Sequence, residues 1–255
     1  IGAVTHFLAE FPQAKVFAPR LARELVLFKL AQIKMSHEIT EYDEDFELKV
    51  DNFSLHPIHV THSIPDTYGL VFKNSDTAIL FISDFKFDLT PSFERPFNFQ
   101  KIQKLFKDCD QTIAMIDSTN ILSEGKTVSE TELIPALEKI ISQKKRTFIT
   151  MFSSNLYRMK NILDIAKKQK KKITTIGRSI NHYLQTADKV GLIDLSDYPI
   201  IEFEGIQNFK DPNILFLVTG SQGEYLGATK RIITGNQKNI KLNENDQFVF
   251  SSKPI

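Results

Sequence analysis

Between Arg146 and Val218 the chain alternates β-branched or aromatic runs with amphipathic ones, and this alternation restricts the fold more than any other feature of the sequence. Arg146–Phe152 reads as a strand. Asn155–Lys172 places Leu156, Met159, Ile162, Leu163 and Ala166 at helical spacing. Lys171–Ile176 returns to strand, and Ser179–Val190 reads as a helix stopped by Gly191, a natural C-terminal cap. Pro199–Phe203 and Ile214–Val218 read as further strands. Strands separated by helices in this order predict a parallel sheet with helices packed on it. Upstream, Ser129-Glu130-Thr131-Glu132 has the spacing of a helix-capping box. Pro135 inside the helix that follows implies a kink or a later start.

The first half has a different texture. Lys15–Ala18 is a short apolar strand before Pro19, and Arg20–Lys34 has helical spacing through Leu21, Leu25, Phe28 and Leu30. Phe46–Val50, Phe53–Val60, Gly69–Lys73, Thr77–Ile82 and Gln111–Ile116 read as strands, with a turn at Asn74-Ser75-Asp76. Ser123–Lys126 is a polar connector, which puts a domain boundary between 1–128 and 129–255. Charge divides at the same place. Residues 1–128 hold 13 basic and 18 acidic side chains, a net of −5, against 19 and 13, a net of +6, beyond. Such asymmetry fits a protein that holds cations in one part and polyanions in the other, or a chance scatter of surface charge.

Cys109 is the sole cysteine, so no internal disulfide forms, and a reducing, cytoplasmic setting is expected. No apolar run approaches the ~20 residues of a membrane helix, and no signal peptide is expected. The start at Ile1 and the abrupt Ser251–Ile255 end read as cuts in a longer protein.

Two residues stand where metal ligands are commonly found, at the ends of strand-like runs. His62 opens a turn with Ser63-Ile64-Pro65-Asp66, and Asp84 follows Thr77–Ile82. His56, His59 and His62 are spaced by three in extended chain, so they cannot easily share one ion. Asp84 read alone is equally a turn or helix cap. A catalytic zinc site needs about three protein ligands, and this pair supplies two. Lys167–Lys172, rich in lysine, reads as a solvated helix end opposing the helix dipole, with a phosphate-tracking patch as the rival.

Thr61–Gly69 together with Ser83–Pro91 resembles the corresponding pair of segments in the ribonuclease J family, of the metallo-β-lactamase/β-CASP group. Met115–Asn120, Phe148–Arg158, Ile176–Ser179, Val218–Glu224 and Phe248–Ile255 resemble later blocks of that family in the same order. Ile1–Ala3 and Lys15–Arg20 resemble the segment after its His-x-His-x-Asp-His motif, so the chain resembles an interior fragment. Ser83 departs from the family, which usually has glycine there.

The resemblance implies part of a metallo-β-lactamase αββα sandwich over 1–128, followed by a β-CASP α/β domain with a parallel sheet over 129–255. It implies a ribonuclease that cleaves RNA phosphodiesters by metal-activated hydroxide, 5′→3′ with some endonuclease activity. Two Zn2+ are implied per complete site, most of their ligands lying outside this chain. His62 would bind one zinc, Asp84 would bridge two, and Asp117 would help order the site as a further catalytic acid. Ser153, Ser154, Asn155, Arg178 and Ser179 would bind RNA phosphate, with Thr219–Gly223 a third such turn. Ordinary N-capping is the alternative role at 153–155. Expected partners are RNA and either further copies (a dimer or tetramer) or a paralogous subunit, with no membrane. The fragment alone is expected to be inactive. The rival functions are a non-catalytic RNA-binding or assembly paralogue and a small-molecule metallo-hydrolase.

Overall fold

A computed structural model describes residues 1–224 and 227–252. The chain forms two compact units, 1–129 and 130–255.

In the first unit α1 (Val4–Glu10) and α2 (Arg20–Gln32) pack beside a two-stranded parallel pair, β1 (Val16–Ala18) and β2 (Ile39–Glu41). Leu8, Ala18, Val26, Leu30 and Ile39 form the core there. The main sheet has five strands: β3 (Leu48–Val50), β4 (Phe53–His59), β5 (Tyr68–Lys73), β6 (Thr77–Ile82) and β7 (Gln111–Ile116), in the order 3-4-5-6-7. Neighbours β3 to β6 are antiparallel, and β6 and β7 are parallel. One face is sealed by α3 (Phe99–Phe106), whose Ile102, Leu105 and Phe106 pack on Ile58, Val71, Ala78 and Leu80. Strand β7 is exposed along its length, with Ile113 and Met115 about half open to solvent.

The second unit holds a four-stranded, all-parallel sheet: β8 (Thr147–Thr150), β9 (Lys172–Ile176), β10 (Ile214–Val218) and β11 (Gln247–Phe250), in the order 11-8-10-9. β8 and β10 are buried at every position, as in a sheet covered on both faces. Phe148 is in register with Phe216 and Phe248, and the rings stack at 4.6 and 5.6 Å. Ala228 and Ile232 of α7 (Ala228–Ile233) pack on that aromatic row. α5 (Leu156–Lys168) and α6 (Arg178–Lys189) contact β9, and α5 also contacts α4 (Glu130–Ile141). The expected parallel α/β sheet is present.

Two local expectations are corrected. Pro199–Phe203 is not a strand: Ile200 makes a single bridge to Ile173, and Phe203–Gly205 closes as a 3₁₀ turn. Proline brings no backbone donor, so the pairing is limited to the Ile173 N–H onto the Pro199 carbonyl at 2.9 Å and the Ile201 N–H onto the Ile173 carbonyl at 2.8 Å. The lysine run is not uniformly solvated. Lys171 is 5% exposed, and its ammonium donates to the carbonyls of Gln143, Lys145 and Pro212 at 2.9, 3.3 and 3.2 Å. Pro135 sits inside α4 without shortening it.

Candidate metal and phosphate sites

In the first unit the sheet topology brings the candidate ligands to one edge. β4 and β6 each run antiparallel to β5, and β7 runs parallel to β6, so β4, β6 and β7 all point the same way. His62, Asp84 and Asp117 each lie just past the C-terminal end of one of these strands. The Asp117 N–H donates to the Ile82 carbonyl at 3.2 Å, which carries the β6–β7 pairing out to the candidate acids.

Thr61 holds the two loops together. Its carbonyl accepts from the Lys86 N–H at 2.8 Å, and its hydroxyl donates to the Lys86 carbonyl and accepts from the Asp88 N–H at 3.2 Å. Asp88 is a buried anchor: Oδ2 meets Lys86 Nζ at 3.3 Å and the Ser129 hydroxyl at 2.8 Å, while Oδ1 accepts from the Thr90 N–H. Asp84 itself stands exposed on this braced loop, and the ring of Phe87, 60% exposed, stacks on Phe99 nearby.

Burial pushes the His62 imidazole below its ordinary pKa. The carboxylates of Asp84 and Asp117 oppose that shift, while the Lys86 ammonium adds to it. The three candidate residues therefore share one electrostatic neighbourhood, and the shift favours the neutral imidazole, the form that ligates metal. The Thr119 hydroxyl, 2.6 Å away, and the Thr119 N–H, 3.1 Å away, hold the Asp117 carboxyl below the usual range. A nitrogen donor and nearby carboxylates suit zinc chemically. Yet among the described residues no group of three or more histidine, cysteine or acidic side chains is placed to hold an ion. The described residues offer a partial donor set and do not fit a complete metal centre.

The second unit has its own polar rim. All four strands are parallel, so the turns after them gather at one edge. Ser153, Ser154 and Asn155 follow β8, and Asn155 caps α5 by accepting from the Arg158 N–H at 3.0 Å. Arg178 and Ser179 open α6 on the exposed surface, directly after β9. Thr219–Gly223 follows β10, and Thr219 N–H donates to the Ile176 carbonyl at 3.1 Å. Gly177, at φ +138°, permits this approach, since a Cβ there would lie 2.3 Å from Thr219 Oγ1. The Ser221 hydroxyl is buried and has no hydrogen-bond partner among the described residues. Arg158, assigned no role on sequence grounds, braces the rim by donating to the Ser251 carbonyl at 3.1 Å and to Glu130 at 2.9 Å. Its place in the first turn of α5, three residues after the Asn155 cap, was the signal for it. Lys253, Pro254 and Ile255, the end of the last resembling block, lie outside the described residues.

Comparison with known proteins agrees with this architecture. The family described as ribonuclease J, beta-CASP domain, matches residues 144–255. Ribonuclease J of Mycoplasma genitalium (strain ATCC 33530 / DSM 19775 / NCTC 10195 / G37) is 31% identical over 260 residues, spanning 100% of this chain and 45% of that protein. Ribonuclease J of Synechocystis sp. (strain ATCC 27184 / PCC 6803 / Kazusa) is 33% identical over 259 residues, spanning 100% and 40%. A crystal structure of a protein of unknown function from Enterococcus faecalis V583 shares the fold at a TM-score of 0.58 and 12% identity, over 93% of this chain and 66% of that one.

The class is thus a mixed α/β protein carrying a β-CASP domain. More narrowly, residues 144–255 match the ribonuclease J beta-CASP domain, and the chain is similar over its whole length to curated ribonuclease J proteins, of which it spans less than half.

Proposed function

We propose that these residues are part of a metal-dependent ribonuclease that hydrolyses RNA phosphodiesters 5′→3′, with some endonuclease activity. The observation that carries this reading is the convergence of His62 with Asp84 and Asp117 at one sheet edge, in a chain similar to ribonuclease J throughout. His62 and Asp84 would hold zinc together with donors from beyond this chain, and the first unit would be part of a metallo-β-lactamase-like domain, 1–128. A zinc ion held there would supply Lewis-acid chemistry, lowering the pKa of bound water and offsetting charge on the phosphate. Asp117, fixed by Thr119, orders the edge beside His62. Ser153, Ser154, Asn155, Arg178 and Ser179 bind RNA phosphate, since strand-to-helix turns present backbone N–H groups to anions and arginine grips phosphate with two prongs. The Arg178 guanidinium has no ion-pair partner among the described residues, which leaves it available.

The protein is expected to act in the cytoplasm, consistent with its lone Cys109, as a dimer or tetramer or with a paralogous subunit. Among the described residues no helix is long and apolar enough to cross a membrane. The test is full-length, zinc-loaded protein given 5′-monophosphorylated RNA, with Asp84→Ala compared for degradation and bound zinc. Equal degradation by both proteins, with equal zinc, sinks the assignment of Asp84. The 255-residue chain alone is expected to be inactive, because its donor set is partial. A stoichiometric two-zinc complex of this chain would contradict that. The same partial set keeps a second reading open, a non-catalytic RNA-binding subunit, which full-length protein that binds RNA without cleaving it would establish.

A further inference from the structure

The second unit has a cavity of about 540 Å³ away from the rim. Its lining includes Arg146, which precedes β8, and Asn208, Phe209 and Lys210, from the segment leading into β10. Gln237, Lys238, Asn239 and Lys241, from the stretch before β11, also contribute. The cavity therefore sits at the N-terminal edge of the parallel sheet, whereas the rim turns lie at its C-terminal edge. β8 and β10 span four and five residues, so about 15 Å of sheet separates the two places.

The cavity has a built floor. Arg146 is 4% exposed and donates to the carbonyl oxygens of Phe209 and Lys241 at 2.6 and 2.7 Å, tying two lining segments together. Its charge is matched by Asp246, so Arg146 positions the walls and leaves recognition to others. The other charged lining residues are Lys210, Lys238 and Lys241, all exposed, with no carboxylate among the lining residues and no ion pair to these lysines among the described residues. Amides alternate with them. Asn208 and Gln237 each commit their carbonyl oxygen, to the Lys210 N–H and to Arg231, which leaves their NH₂ groups available. Asn236 commits its NH₂ to Thr234, leaving its oxygen, and the Asn239 amide is uncommitted among the described residues.

Ammonium groups beside mixed amide donors and acceptors suit an anion that also carries hydrogen-bonding groups, as a nucleotide does with its phosphate and base edges. The volume lies within the ~300–1,000 Å³ usual for small-ligand sites. We propose that this cavity binds a nucleotide unit of single-stranded RNA, as a contact separate from the strand-end rim. Lysines take the phosphates and amides take the base. The choice of RNA rests on the ribonuclease J reading of the chain, while the anionic, hydrogen-bonding character of the ligand rests on the cavity alone.

The test measures binding of a fluorescent single-stranded RNA decamer to the 255-residue chain and to its Lys210→Glu/Lys238→Glu/Lys241→Glu variant, over a salt series. These lysines are exposed, and the Arg146 contacts use backbone carbonyls, so the variant keeps its floor; circular dichroism confirms folding. The expected result is at least tenfold weaker binding and a salt dependence shallower by about 2 in the log–log slope, from ~0.7 per lost phosphate contact. Adenosine 5′-monophosphate is expected to compete, and inorganic phosphate and oligoglutamate are not. Equal RNA binding by both proteins overturns the cavity assignment and leaves the family reading intact. No RNA binding by the unaltered chain also overturns the cavity assignment, and the ribonuclease reading stands or falls by its own test on full-length protein. Competition by phosphate or oligoglutamate as strong as by the nucleotide reduces the cavity to a general anion site and refutes the proposal.

Discussion

Replacing Arg146 with alanine tests whether one buried guanidinium organises the second unit. The side chain makes four well-defined interactions: a two-pronged pair with Asp246, hydrogen bonds to the Phe209 and Lys241 carbonyls, and a position 5.2 Å above the Phe148 ring. Both partners of the ion pair are nearly buried, at 3% and 6% side-chain exposure. Arg146→Ala therefore leaves the nearly buried Asp246 carboxylate without a counter-charge, held only by the Asn243 N–H at 2.8 Å, and frees two carbonyls. Breaking a buried pair from one side costs about 3–5 kcal/mol, chiefly through the charge left behind. At ~1.4 kcal/mol per decade, amide hydrogen exchange of the β8 and β10 segments accelerates by roughly two to four decades if those amides exchange through opening of the unit. Hydrogen exchange read by mass spectrometry on peptides covering 147–150 and 214–218 measures this directly. An Arg146→Met/Asp246→Leu pair is expected to cost clearly less than the sum of the single changes, because no lone charge remains. Acceleration of less than tenfold, or strictly additive single and double changes, refutes the reasoning.

Three further outcomes follow from local geometry. Gly177→Ala is expected to cost about 2–4 kcal/mol in a denaturant melt, since its new Cβ meets Thr219 at 2.3 Å in a left-handed backbone; a neutral change would mean the β9 and β10 turns are not closely packed. Asn155→Ala is expected to lose about 1 kcal/mol with the α5 cap, and Asn155→Asp should restore it in the same melt. In the metal-free chain the His62 imidazole is expected to titrate below its ordinary 6.5, and lower still in Asp84→Asn, because burial depresses it and Asp84 opposes the depression. Its contribution to stability is then present above the unfolded-state pKa and lost as pH falls through the lowered folded value. Histidine ring NMR across pH reads both, and an unchanged midpoint in Asp84→Asn would separate the two residues.

Where one segment carries its own pattern, the sequence was readable. Thr77–Ile82, Gln111–Ile116 and Ile214–Val218 are strands at the residues their apolar runs mark. Pro199–Phe203 carried the same kind of run but lies where only one bridge to β9 forms, a tertiary fact that propensity does not contain. β2 and β11 escaped notice because each is short and defined by its parallel partner. α3 could have been found: Asn98 caps it, and Ile102, Leu105 and Phe106 have helical spacing. Lys171 was hidden by its neighbours, since nothing in a run of lysines tells which one meets three carbonyls. At the candidate site, His62 and Asp84 stood out as strand-end residues. Their shared neighbourhood with Asp117 needed the order 4-5-6-7 of the sheet, which no local pattern encodes.

Strand β7 also governs how the chain behaves in the tube. It is the last strand of its sheet, so one side of its backbone presents unpaired donors and acceptors, beside half-open Ile113 and Met115. A long edge of this kind is a template on which any extended chain can add a strand. Concentrated preparations of these 255 residues are thus expected to self-associate through β7 in a reversible, concentration-dependent way. A lysine at position 113 or 115 should keep them dispersed by making each added strand carry a charge into the seam.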